Sequence, residues 1–273
     1  MRKTVTALAA AAGLTAGIGF MTPAAAADTA QLSVLHGVPD TTVDVFVNGA
    51  LTLDDFTPGS LAGPLDLPAG SYELAITPAD AADASAAIIG PVTVNLEAGG
   101  NYTAVANLDA AGQPTANFYT NDLSTVAPGK SHLTVRHVAA APAVDVLANG
   151  TPVITGLENP NEETLAVDAG TISASVAAAG TTEPVIGPAD LTLAEGTHTF
   201  VYAWGSLEAG NLALATQTID GMESAPNAVP GALASSNEGN GQVLAAGAGL
   251  AVLLLAGSAV VVRRNSAAAA SRR

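Results

Sequence analysis

The chain has no cysteine in 273 residues. That excludes disulfides, thiol nucleophiles, iron–sulfur ligation and Cys-held zinc, and leaves each domain to its own apolar core for stability. Bases are nearly as scarce, with eight Lys and Arg against 24 Asp and Glu. All the acids lie between Asp28 and Glu238, where only Lys130 and Arg136 are basic, a net of −22. Such a stretch repels nucleic acid and anionic headgroups, so no nucleic-acid partner is expected. Also missing are a Gly-x-Ser-x-Gly elbow, a His-Glu-x-x-His pair and a His-x-His pair. With neither a nucleophile nor a metal constellation, the expectation is a protein that is not an enzyme, with no catalytic residue, no cofactor and no metal set.

What is present begins at the ends. Arg2 and Lys3 precede an apolar run from Val5 to Phe20, then Pro23 and the small residues Ala25-Ala26-Ala27. These are the three parts of a secretory signal, and residues 1–27 are assigned to it. Val243 to Val262 is 20 residues without a charge, enough to cross a hydrocarbon core of about 30 Å. Arg263-Arg264 follow at once, placing the basic tail 263–273 in the cytoplasm and the rest outside. The stretch Val229-Pro230-Gly231-Ala232-Leu233 has no Leu-Pro-x-Thr-Gly signal for covalent wall attachment. The expected localisation is the cell membrane, single-pass, of a Gram-positive-like bacterium.

The middle is one unit written twice. Leu32–His36 and Val43–Gly49 recur as Leu133–His137 and Val144–Gly150 at an offset of 101. Leu65–Gly70 answers to Leu165–Gly170 at 100, and Ile89-Gly90-Pro91 to Ile186-Gly187-Pro188 at 97. The offset shrinks between the matched blocks, as loops tolerate and strands do not. Units are set at 30–124 and 131–222, with Ser124 to Lys130 as linker and 223–242 as a flexible stalk. Within each unit, period-two alternation at Val43, Val45 and Val47 and again at Tyr72, Leu74 and Ile76 predicts strands. Asn48-Gly49 is a hairpin turn signal, and Gly or Pro punctuates the junctions. Ala79–Ala87 is confined by Pro78 and Pro91 to a helical turn at most. The fold class is all-β: two tandem antiparallel β-sandwich domains, immunoglobulin-like or transthyretin-like, plus one C-terminal transmembrane helix.

His36-Gly-Val-Pro-Asp40, Val43-Asp-Val-Phe-Val-Asn48-Gly49 and Leu67-Pro-Ala-Gly-Ser-Tyr72 resemble the DUF4397 family. The second unit keeps His137, Pro142, Val144-Asp145-Val146 and Asn149-Gly150, but has Ala143 in place of the acid. The resemblance implies an exported bacterial β-domain, often in tandem, and implies no activity.

Four groups of residues carry candidate chemistry. His36 with Asp44, and His137 with Asp145, suit a general base with its orienting carboxylate, or half a metal site. Retention in both copies fits a strand-locking role better. Asp54-Asp55, Asp80 with Asp83, and Glu162-Glu163 raise calcium but lack the spacing that aims several oxygens at one ion. Asn101-Tyr-Thr103 and Asn149-Gly-Thr151 match the glycosylation tripeptide by accident. Phe200, Tyr202 and Trp204 fall on alternate residues of one strand and so share a face, about 6.6 Å apart. They are the candidate binding residues, a platform for a sugar chain or an aromatic partner, against the simpler expectation that they face the core.

The functional expectation is a non-catalytic, membrane-anchored surface protein whose tandem domains are structural, adhesive or binding modules. Its expected partners are the membrane, through the single helix, and the cell wall or another surface protein. The alternative is a wall- or glycan-binding module using the aromatic row. The two units are expected to have separate cores.

Overall fold

A computed structural model describes residues 29–223. The signal segment 1–27, the stalk, the apolar run 243–262 and the basic tail therefore lie outside the described residues. Among those described, no helix is long and apolar enough to cross a membrane.

The structure is all-β. The first repeat forms β1 (Thr29–His36), β2 (Val43–Val47), β3 (Ala50–Phe56), β4 (Leu61–Pro68), β5 (Gly70–Pro78), β6 (Ile89–Leu96), β7 (Asn101–Leu108) and β8 (Pro114–Thr120). The second forms β9 (Lys130–His137), β10 (Val144–Ala148), β11 (Thr151–Leu157), β12 (Glu162–Asp168), β13 (Gly170–Ala178), β14 (Pro184–Leu193), β15 (His198–Trp204) and β16 (Ala213–Ile219). The Ala-rich stretch holds one 3-10 turn, Ala84–Ala86, capped by the Asp83 carboxylate on the Ser85 N–H.

Each repeat folds into two four-stranded sheets, β4-β1-β7-β8 facing β3-β2-β5-β6, and β12-β9-β15-β16 facing β11-β10-β13-β14. Between the sheets of the first lie Leu32, Val34, Val45, Ile76, Val94 and Tyr102; between those of the second lie Leu133, Val135, Val146, Val176 and Val201. The expected purely antiparallel pairing holds only in part. Successive strands alternate direction, so β1 and β7 point the same way and pair in parallel, as do β9 and β15. Each inner sheet is therefore mixed.

Gly90 and Gly187, already matched in the repeat, sit where the ladder shifts register beside β5 and β13. Their φ values of 90° and 86° lie in the left-handed region. A Cβ at Gly90 would come within 2.7 Å of the Leu74 carbonyl oxygen, so only glycine fits. The Asn48-Gly49 and Asn149-Gly150 turns also take left-handed backbone, as two-residue hairpins demand.

Alternation of strand direction sorts the connections by end. The brief turns at 48–49, 69, 97–100, 149–150, 169 and 194–197 share one end with Thr29, the connector 121–129 and the exit at Glu223. The other end carries the connections 37–42, 57–60, 79–88, 109–113, 138–143, 158–161, 179–183 and 205–212. The connector is not a free linker. The Val126 N–H donates to the Met222 carbonyl and the Gly129 N–H to the Glu195 carboxylate, and Val126 is buried.

Gly90→Ala is expected to destabilise the protein by about 1–3 kcal/mol, the scale of a strained backbone residue. Gly112→Ala, whose added Cβ meets nothing within 4 Å, carries only the conformational part. Equal melting losses in the two variants would refute the close-approach argument.

Candidate functional site: the face between the two sandwiches

β7 is buried along its whole length, and β15 along all but Trp204, although a sheet has only one face toward its own core. In β15, Thr199, Val201 and Ala203 point inward, with Val201 in the core of the second sandwich. Phe200, Tyr202 and Trp204 point the other way and meet the first sandwich. There they join Leu35, Val105, Val138 and Tyr119 in a third apolar cluster that belongs to both repeats. Phe200 is 1 % exposed and Tyr202 is fully buried. The platform expectation is thus corrected: the row is neither open to a glycan nor part of its own sandwich's core. It is covered by the equivalent face of the other repeat.

Equivalent faces meet, as in an isologous dimer. β7 pairs Thr103 with Tyr119 of β8, and β15 pairs Phe200 with Gln217 of β16. Thr103 donates to Gln217 at 3.0 Å across the junction, while Tyr119 and Phe200 approach one another through the residue between them.

That residue is Arg136, fully buried on β9 at the position that Leu35 holds in the first repeat. Its guanidinium carbon lies 4.3 Å from the Tyr119 ring centre and 4.6 Å from that of Phe200. Its Nε donates to Glu162 at 2.6 Å, its Nη1 to the Tyr202 hydroxyl at 2.8 Å and its Nη2 to Asn121 Oδ1 at 2.9 Å. The Tyr202 hydroxyl donates in turn to Gln217 Oε1 at 2.6 Å, and Gln217 Nε2 donates to Ser33 at 3.1 Å. Burial raises the pKa of both tyrosines, with the Arg136 charge opposing it, so both hydroxyls stay protonated donors.

The rest of the face is sealed by direct contacts. Asn159 Nδ2 donates to the Leu108 and Ala139 carbonyls, and Tyr119 to the Pro160 carbonyl. The Trp204 ring lies so close to Gly59 that a Cβ there would be 2.8 Å from it. His198 is fully buried at the opposite end, its Nδ1 donating to the Asp122 carbonyl and its Nε2 bonded to Thr134. The expectation of separate cores is therefore incomplete: each sandwich has one, and a third joins them into one compact unit.

The repeated His and Asp side chains do not form the expected pairs. His36 Nε2 donates to the Thr41 carbonyl at 2.7 Å, and Asp44 accepts the Asp55 N–H at 2.9 Å. His137 Nε2 donates to the Pro142 carbonyl, and Asp145 accepts the Gly156 and Gly180 N–H groups. Each histidine holds the loop where β1 or β9 turns over to the other sheet, and each aspartate holds the register shift of the neighbouring β3 or β11, which explains retention in both copies. Asp44, Asp54 and Asp55 bring one carboxylate oxygen each within 4.8 Å of one another. Two are exposed, and in the second repeat their places are Thr155 and Gly156. Glu162 is committed to Arg136 and Asp83 to its turn.

The fold and its buried face define a class: a tandem all-β module whose two repeats are locked side by side. The family model described as "Domain of unknown function (DUF4397)" matches residues 30–147, and that stretch belongs to the family. The match covers the first sandwich and continues across the connector to the end of β10. No curated protein matches the chain. Among solved structures, the Bacillus anthracis TIE protein is similar over 70 % of this chain and 43 % of its own, at 13 % identity. The TM-score is 0.18, so the likeness carries no argument.

The face went unread in the sequence, though one signal was there. Arg136 is one of only two Lys or Arg residues between Asp28 and Glu238, and it stands where the sister repeat has Leu35.

Arg136→Met is expected to cost about 3–5 kcal/mol, because Glu162, Asn121 and Tyr202 lose a buried partner. Trp204, the only tryptophan, reports the same event as a red-shifted emission before either core melts. Unchanged stability would contradict the clamp. A second expectation follows from the histidines. Burial holds His36, His137 and His198 below the ordinary 6.5, opposed by their carbonyl partners. The unfolded chain therefore takes up protons first, so stability is complete above about pH 7 and falls as pH drops through 6.5. Asp122 and Asp83, whose carboxyls are lowered by hydrogen bonds from Ser124 and Ser85, add their losses only below about pH 4. Denaturant titrations from pH 8 to 5 check the sign; a flat curve would contradict it.

Proposed function

We propose that the protein is a non-catalytic cell-surface protein, anchored by the apolar run 243–262, in which the two sandwiches act as a single structural or adhesive body. The observation that carries the reading is the buried Arg136 junction. A flexible spacer needs no such contact, whereas a rigid presenting body does. The polarity of the fold supports it as well. With Thr29, the connector and Glu223 at one end, an anchor beyond Glu223 turns the loops of the opposite end, 79–88 and 205–212 among them, away from the membrane, and such loops commonly carry binding. Against catalysis stands the use of the repeated His and Asp groups, each taken up by backbone partners. The aromatic row no longer supports a glycan platform, because its face is covered. Any wall or glycan binding belongs to the loops and outer surface instead.

Protease added to intact protoplasts is expected to remove residues 28–242 and spare a tag placed after Arg273. Full protection of the ectodomain would overturn the anchored, outward orientation. Purified protein mixed with wall material separates the adhesive version from the purely structural one: co-sedimentation supports adhesion, and indifference supports a presenting body.

A further inference from the structure

A groove of about 780 Å³ lies where the two sandwiches meet. Tyr119 of the first closes one side; residues 153–158 and 160–163 of the second form the rest. β11 and β12 are each the outermost strand of their sheet, so the groove follows the open seam of the second sandwich. β11 has a strand neighbour only in β10 and presents its other main-chain edge here. Val153, 40 % exposed, supplies an apolar patch on the wall.

Three carboxylates rim this seam: Glu158, Glu162 and Glu163. Among the described residues the only Lys or Arg are Lys130 and Arg136. Lys130 pairs with Asp168, and Arg136 is sealed inside the junction with Glu162. Glu158 and Glu163 thus face solvent with no cation of the described chain to answer them. The equivalent seam of the first sandwich differs. Gln217 stands in place of Tyr119, Leu61 and Ala62 take the positions of Glu162 and Glu163, and Asp54 and Asp55 stand where the second has Thr155 and Gly156. The seam of the second sandwich therefore holds an acid pair and a ring where the first has Leu61, Ala62 and Gln217.

We propose that this groove binds an extended polypeptide segment bearing Lys or Arg. The free strand edge offers main-chain hydrogen bonds to an extended chain. Glu158 and Glu163 attract its cationic side chains, and Val153 packs against its stems. The proposal depends on the folded junction and not on membrane anchoring, so failure of either reading leaves the other distinguishable.

The test uses full-length protein and a fluorescein-labelled peptide of alternating Lys and Thr, followed by anisotropy at 20 mM and 150 mM salt, about. Saturable binding is expected, weakened about tenfold by Glu158→Gln with Glu163→Gln, a loss on the scale of two ion pairs. Asn161→Lys, which places a cation in the groove, is expected to act in the same direction. Glu97→Gln with Asp190→Asn removes the same charge elsewhere and should change affinity by less than about twofold. Melting curves matching wild type certify each variant. Equal losses from both charge-removing pairs, spermine binding as tightly as the peptide, or no saturable binding would each overturn the proposal.

Discussion

A guanidinium taken out of water must have each of its donors and its charge answered, or the fold loses several kcal/mol. Arg136 imposes that demand at the centre of this molecule. Its answers come from both repeats: Glu162, Tyr202 and Phe200 from the second, Asn121 and Tyr119 from the first. None of these groups can shift without exposing another buried polar atom, since Tyr202 in turn supports Gln217, and Gln217 supports Ser33. The network therefore fixes the register of one sheet face on the other, which apolar packing alone would leave free to slide.

From that fixed register follows the polarity of the whole body. Two equivalent faces meeting with their strands in the same sense put the hairpin ends together and the loop ends together. The chain enters, crosses and leaves at one end. The opposite end gathers Asp40, Asp80, Asp109, Glu158 and Glu208 on its loops, and Asp40 of the first sandwich accepts from Asn211 of the second. The acid-rich, nearly base-free composition thus becomes a spatial arrangement, with one base hidden in the junction and the negative groups facing outward.

Much of the fold was legible in the residues. The offset of the repeat located both sandwiches, Asn-Gly pairs marked hairpins, and the Gly-Pro matches marked the register shifts of β6 and β14. The junction was not legible, for a physical reason. Alternation says that Phe200, Tyr202 and Trp204 share a face but not what covers it, and a face on the partner reads as ordinary polar and small residues: Thr103, Val105 and Asn107. The mixed sheets escaped because local pattern carries strand identity, whereas β1 and β7 are some seventy residues apart in sequence. The His–Asp motif was read as a pair since the spacing allowed it. Each histidine instead satisfies backbone at a strand crossing and each aspartate backbone of a neighbouring strand, roles that carry no sequence partner.

The absence of cysteine makes the central claim directly measurable. Asn95→Cys and Thr192→Cys place one spin label on the exposed outer sheet of each sandwich. Their dipolar coupling reads the separation of the two sandwiches and its spread. A junction built on Arg136 predicts a single narrow distance distribution that broadens when Arg136 is replaced by Met. A broad distribution in the otherwise native protein, or a narrow one indifferent to that replacement, would contradict it.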